Sequence, residues 1–436
     1  MDRFSFWGER SLRNLTSIIC TIAFAICITQ VTAREPDYLS EELVDDPAPS
    51  FASYQEGFDD PAPQLRDEQL VYVGGPANRW WARGEYLLWA TDGLRTPPLA
   101  TTSPNGTAQP AAGVLDQGAT TLFGGDLLTN SRSGGRIRFG TWLGDLRRFG
   151  VEAEYFALGD INDNFVATST GDPIVARPFF NALSNAQDSE LVAFPGIVSG
   201  TFTANAQGSL QSAGVRMLWN LCQSGEPIWL DSCERSESRL DLLLGYRFLR
   251  LDESLQMREQ LTSQLVNEPG MFDINDSFTT RNEFHGGEIG LSRTESYRRW
   301  TLDMLFKIAF GNVRESVSIN GSTVIDDGTG PQTFAGGLLA QRTNIGDYSR
   351  DRFALIPELG VTIGYQLTPR WQANFGYTLI YLDRAVRAGE QIDPTVNPNL
   401  LPPELVPFTG PLRPEFSFVE NGFWAQGMSF GLTYVW

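Results

Sequence analysis

Lysine and histidine are almost missing from this chain. Among 436 residues and 33 basic side chains, Lys307 is the one lysine, and His285 is the one histidine. One histidine cannot complete a histidine metal set, and zinc clusters need more than a single cysteine pair. A serine nucleophile would have to use His285 as its base. Alternation puts His285 on the same face as Ile289 and Leu291, opposite Glu288, so it reads as an interfacial hydrogen-bonding residue. Carboxylate-only catalysis needs a distinctive pair, and acids are too abundant here for any pair to stand out. The expectation is a protein that is not an enzyme and carries no cofactor or metal.

Charge of either sign is also scarce. Charged residues make up 19%, below the roughly 25% of an average soluble domain. The net charge of -19 excludes a nucleic-acid partner, because phosphate binding needs a basic surface. Cations supplied almost wholly as arginine stay charged and fork onto carboxylates, which suits fixed internal ion pairs.

Long apolar runs are absent too. Ile18 to Ile28 is apolar for only eleven residues, too short for a spanning helix. With Arg3, Arg10 and Arg13 before it and Val31-Thr32-Ala33 after it, residues 1–33 read as a cleavable signal peptide. Residues 34–78 hold eleven acids, two arginines and a repeated Asp-Asp-Pro-Ala-Pro; this is the composition of a flexible tether. Removing the signal leaves Cys222 and Cys233. An exported pair in an oxidising compartment is expected to bridge.

From Arg79 onward the sequence alternates with period two. Trp371, Ala373, Phe375, Tyr377, Leu379 and Tyr381 share one face, and Gln372, Asn374, Gly376 and Thr378 the other. Such a strand fits a barrel wall with lipid outside. Leu359, Val361, Ile363 and Tyr365 repeat the pattern across the turn at 367–369; pairing 366 with 370 sets Val361 against Phe375 and Thr362 against Asn374. In a second hairpin, pairing 143 with 149 sets Arg138 against Glu154.

Similar strands at about 80–90, 207–221, 237–251, 283–292, 299–311 and 424–436 bring the number to ten, with twelve as the alternative. The connections 144–148, 222–236, 293–298 and 367–370 are short, and those after strands one, three, five, seven and nine are long. The architecture expected is therefore all-β: a closed antiparallel up-and-down transmembrane β-barrel with short periplasmic turns and long extracellular loops. The long loops at 91–132, 159–206, 313–352 and 383–422 are rich in Gly, Asn, Thr and Pro and read equally as cover or as adhesive surface.

Inward-facing charges expected in the lumen are Arg83, Glu85, Arg136, Arg138, Glu152, Glu154, Asp241, Arg247, Glu288, Asp303, Lys307 and Glu358. Eight strands are just filled by side chains, and sixteen leave an open channel. Ten strands predict a narrow lumen. In the last strand Met428, Phe430, Leu432, Tyr434 and Trp436 alternate with Gly427, Ser429, Gly431 and Thr433. That resembles the terminal signal read by barrel-assembly machinery.

The residues also resemble a known family, the seventh designated as β-barrel porins, typical of planctomycete bacteria. The likeness is carried by Trp81-Ala82-Arg83-Gly84-Glu85-Tyr86-Leu87-Leu88-Trp89, Gly245-Tyr246-Arg247-Phe248, Asn344-Ile345-Gly346, Pro357-Glu358-Leu359-Gly360 and Gly364-Tyr365-Gln366-Leu367. The stretch from Gly376-Tyr377-Thr378 to Gln391-Ile392-Asp393 and the closing Phe423-Trp424-Ala425-Gln426-Gly427 complete it. It covers most of 79–436 and implies an outer-membrane location, with outer-membrane lipid and the assembly machinery as partners and small solutes or ions as cargo. It implies no defined substrate.

The signal reading makes a direct prediction: the protein purified from its own cell envelope starts at Arg34. Mass spectrometry of the N-terminal peptide checks this, and an intact Met1 rejects it.

Overall fold

The computed structural model describes residues 79–144, 147–223, 238–267 and 269–436, all within one unit, Leu70–Trp436. The expected signal peptide and tether lie outside the described residues. So does Cys233, and with it the expected bridge; Cys222 is placed only by its backbone, opposite Leu240.

Sixteen strands follow one another among these residues. They are β1 (Trp80–Thr91), β2 (Leu94–Thr102), β3 (Thr120–Leu127), β4 (Arg132–Leu143), β5 (Phe149–Ser169), β6 (Val175–Asn181), β7 (Ala186–Ala193) and β8 (Val198–Gln223). Then come β9 (Ser238–Ser263), β10 (Met271–Tyr297), β11 (Trp300–Asp326), β12 (Gln332–Ala335), β13 (Gly346–Gln366), β14 (Trp371–Val386), β15 (Thr395–Val396) and β16 (Glu420–Val435). Ten of them close a ring: β1, β4, β5, β8, β9, β10, β11, β13, β14 and β16, each antiparallel to the next, with β16 returning to β1. The closing seam runs from Trp81 opposite Val435 to Thr91 opposite Ala425. Trp436 extends it, since its carbonyl accepts from the Arg79 and Trp80 amides at 3.1 Å. Closure leaves the ring without an edge, as backbone in hydrocarbon requires.

The β4–β5 register is the one expected, with Leu143 opposite Phe149 and Arg138 opposite Glu154. The β13–β14 register differs by two residues. Gln366 faces Gln372, so Val361 meets Tyr377 and Thr362 meets Gly376. The cause is the turn. Leu367 pairs back to Trp371, leaving a three-residue loop in which Thr368 Oγ1 accepts from the Arg370 and Trp371 amides. A shift of two returns every side chain to its original face, so the outward and inward sets are unchanged.

The outer face carries the apolar residues. Ile137, Phe139, Val215, Met217, Leu244, Ile289, Val361, Phe375 and Phe430 are all exposed, although a soluble surface would bury residues of this kind. The belt has a sharp upper border. Along β9 the outward residues are Leu242, Leu244, Tyr246 and Phe248, then Arg250, Asp252, Ser254, Gln256 and Arg258. Along β11 Phe306, Ile308 and Phe310 give way to Asn312, Arg314 and Ser316. Arg250 and Arg281 share Asp252 just above that border. Tryptophans Trp80, Trp219, Trp300, Trp371 and Trp436 ring the lower border, at the end that holds Arg79 and Trp436. Aromatic girdles of this kind mark the lipid headgroup level. Among the described residues no helix is long and apolar enough to cross a membrane; the strands cross instead.

The strands do not stop at the border. β9, β10 and β11 run for 26, 27 and 27 residues, whereas a tilted strand crosses hydrocarbon in about nine to eleven. The connection at 252–282 is therefore mostly strand, with only 264–270 between β9 and β10. The long segments expected as loops also fold. From them come β2, β3, β6, β7 and β15, a second five-stranded sheet, and it caps the projecting wall. Alternation continues beyond the membrane because an inner face still has a core to fill: Leu255, Met257 and Leu261 are buried there against Leu99, Phe179 and Val192 of the cap.

The border predicts opposite outcomes for one substitution. Ile289→Arg, in mid-belt, is expected to cost about 2–4 kcal/mol. Gln256→Arg, on the projecting wall, should stay within about 0.5 kcal/mol. Reversible folding into lipid vesicles followed by tryptophan fluorescence measures both, and equal costs would remove the border from where we place it.

Candidate functional site: the charged layer of the lumen

The twelve charges expected to face the lumen lie as follows. Arg83, Glu85, Arg136, Glu154, Asp241, Arg247, Glu288, Lys307 and Glu358 are buried, and Arg138, Glu152 and Asp303 are largely buried. Strand alternation delivers them, because each sits between outward apolar neighbours. Glu288 lies next to Ile289, and Arg138 lies between Ile137 and Phe139.

Most of them form one layer. Arg136 Nε donates to Glu85 at 2.5 Å, Arg138 Nε to Glu154 at 2.5 Å, and Arg83 pairs with Glu85 at 2.8 Å. Arg247 Nη1 donates to Glu358 at 2.6 Å and lies 3.4 Å from Glu288. Lys307 is fully buried, and its Nζ lies 3.1 Å from Glu358, 3.4 Å from Glu288 and 3.6 Å from Glu154. Glu154 is on β5 and Lys307 on β11, with β8, β9 and β10 between them around the ring, so this contact crosses the lumen. Arg136 to Thr378 and Arg83 to Thr362, both at 3.4 Å, also reach across.

The cation at the centre of the layer is one that strand reading passed over. Arg216 of β8 reaches Glu152 with Nε at 2.9 Å, Glu154 with Nη2 at 2.9 Å and Glu288 with Nη1 at 3.0 Å. Its signal was in the sequence: Val215, Met217 and Trp219 are outward, which turns Arg216 inward.

Below this layer, Trp81 and Trp142 lie against each other with ring centroids 5.2 Å apart. Arg239 stacks on Trp142 at 3.6 Å and holds Asp241 at 2.7 Å. Asp303 accepts from Thr294 at 2.7 Å. Gly140 and Gly150 leave the room for these indoles; a Cβ on Gly140 would lie 2.1 Å from the Trp81 ring.

Above it the lumen turns apolar. Leu87, Trp89, Phe156, Leu251, Phe284, Ile356 and Leu382 fill the next level. A further polar level follows, where Arg387 joins Glu253 at 2.6 Å and Asp92 at 3.2 Å. Asn282 exchanges two hydrogen bonds with the Val386 backbone, pinning the chain that leaves β14 across the mouth. Polar and apolar layers thus alternate up a filled barrel.

His285 is outward and exposed, with its Nδ1 2.5 Å from the Tyr246 hydroxyl and its ring beside Phe248. Among the described residues no group of His, Cys, Asp and Glu is arranged to hold a metal ion. Met428, Phe430 and Leu432 are outward and equally exposed along β16, and Tyr434 stacks on Trp436.

These features define a class: a ten-stranded transmembrane β-barrel whose lumen is packed with side chains and crossed by ion pairs. The family model described as Putative beta barrel porin-7 (BBP7) matches residues 81–436, and the chain belongs to that family. No curated protein matches it significantly. Among solved structures, the outer membrane protease OmpT from Escherichia coli is 12% identical with a TM-score of 0.40, over 83% of this chain and 98% of that one. A TodX monoaromatic hydrocarbon channel mutant is 8% identical at 0.24, over 82% and 90%. A Pseudomonas aeruginosa FadL homologue is 8% identical at 0.21, over 82% and 90%. Likenesses this distant say nothing of activity.

The layer predicts a large penalty for half-removal. Lys307→Met leaves Glu154, Glu288 and Glu358 short of a cation, and breaking a buried pair from one side costs about 3–5 kcal/mol. Adding Glu358→Leu should recover part of that loss. Urea unfolding in vesicles measures both variants; a silent Lys307→Met would mean that water already screens the site.

Proposed function

We propose that this protein is an outer-membrane β-barrel of porin descent whose lumen is shut at rest, and that its working part is the capped wall carried beyond the membrane. The observation that carries the reading is Lys307, fully buried and within ion-pair distance of three carboxylates drawn from β5, β10 and β13. A solute would have to displace this group and then the apolar level of Phe284 and Leu382. In this reading the barrel is a non-enzymatic structural or adhesive platform. Outer-membrane lipid surrounds its belt, assembly machinery reads Met428 to Trp436, and residues 1–33 direct export in a planctomycete cell.

A second reading is favoured by one observation. Several buried polar atoms of the layer make no hydrogen bond, among them Lys307 Nζ, Arg247 Nη2 and Glu358 Oε1. A fully satisfied network rigidifies a core, whereas atoms left unpaired have no hydrogen bond to lose when the network shifts. That supports a narrow, gated path for small ions, with the charged layer as its constriction.

Planar-bilayer recording separates the two. Purified barrel is expected to show no steady conductance at any voltage, while Lys307→Ala combined with Phe284→Ala should produce small, noisy steps. Steady wild-type conductance altered by substitution of Arg138 or Glu154 would establish the channel and sink the shut-lumen reading.

A further inference from the structure

Where the cap meets the projecting wall, a cavity of about 520 Å³ opens, within the size range of small-molecule sites. Leu191, Leu261, Phe272 and Ile274 give it apolar walls, and Leu265 and Pro269, both exposed, stand at its mouth. Among the described residues a single charged side chain lines it, Glu190 of β7. Glu190 Oε2 is buried and has no hydrogen-bond partner.

The charge around Glu190 does not balance. Arg177 of β6 faces it, but Nη1 is bonded to Glu259 of β9 and lies 2.9 Å from Asp276 of β10, Nη2 is turned to Met257 Sδ at 3.4 Å, and Nε, itself without a partner, does not reach Glu190. Asp276 also accepts the Leu339 and Ala340 amides at 3.1 and 2.8 Å. Three carboxyl groups therefore share one cation, and the one left over lines the cavity. Burial, reinforced by Glu259, holds the Glu190 carboxyl well above the usual carboxylate range.

We propose that this cavity binds a small apolar molecule bearing a primary amine, its ammonium seated on Glu190 and its hydrocarbon against Leu261 and Phe272. An ammonium supplies both the missing positive charge and the missing donor. An alcohol supplies only the donor, and a carboxylate brings negative charge to a site that already holds three carboxyl groups. Burial disfavours the ionised Glu190 carboxyl and the ammonium favours it, so binding drives any proton held there off to water. Affinity therefore rises with pH until the amine itself, near 10.4 if it behaves as a lysine side chain, loses its charge. The site does not depend on whether the lumen conducts.

Calorimetry on the full barrel in lipid nanodiscs, with empty nanodiscs as blank, tests this using hexylamine, hexan-1-ol and hexanoate. Hexylamine should bind saturably at one site per chain and tighten as pH rises from the acid side. Glu190→Gln should weaken it about tenfold, close to 1.4 kcal/mol, while leaving hexanol unchanged. Leu265→Trp, at an exposed position lining the cavity, should weaken it by obstructing entry. Heat-modifiable migration shows that each variant is folded. Hexanol or hexanoate binding as tightly as hexylamine, or a Glu190→Gln barrel that binds the amine at full strength, overturns the proposal.

Discussion

Every backbone amide and carbonyl within hydrocarbon must find a partner on a neighbouring strand, and the rest of this structure depends on that demand. It forces the sheet to close at β1 and β16, because an open edge in lipid would leave a row of unpaired groups, each costing several kcal/mol. Closure with ten strands sets the bore, and the bore sets what the interior can be. Inward side chains meet those of strands several places away around the ring, as Lys307 meets Glu154. The lumen becomes a core.

That core is built unlike the interior of a soluble domain. The outer surface must be apolar, so alternation leaves the inner face for polar groups, and buried charges must then be paired. Arginine suits the task because one guanidinium can serve several carboxylates. Arg216 holds three. The lone lysine sits where three carboxylates converge from different directions, a geometry that a compact ammonium fills without a planar fork. The apolar level above keeps water from this layer and strengthens its electrostatics. Beyond the membrane the outer face becomes polar and the inner face gains an apolar core around a few buried ion pairs, and the same strands pass from a membrane wall to a soluble one without a break.

Much of this was readable from residues. The pairing of Arg138 with Glu154 follows from alternation and a five-residue turn, and so do the two faces of β14. The strand lengths are less legible. Apolar outward residues end near Phe248, His285 and Phe310, and polar outward residues beyond them look like loop when judged by the membrane pattern alone. The inward Leu251, Leu255, Met257 and Leu261 were the sign that the strand goes on. Arg216 is hidden for a related reason: the apolar residues of β8 dominate its pattern, and only their outward direction shows that Arg216 turns inward. The β13–β14 register depends on how Thr368 closes its turn, a hydrogen-bonding choice that alternation cannot resolve because shifts of two look alike.

The sequence by itself determined the class, an antiparallel barrel of about ten strands with apolar residues outside and charges within, because period-two alternation is a local property of each strand. Tertiary structure alone decided which charges meet across the bore, that the long connections fold into a second sheet over the mouth, and that Glu190 is left beside a cavity without a cation. Those outcomes depend on groups far apart in the chain that closure brings within a few ångströms, and no local pattern encodes such distances.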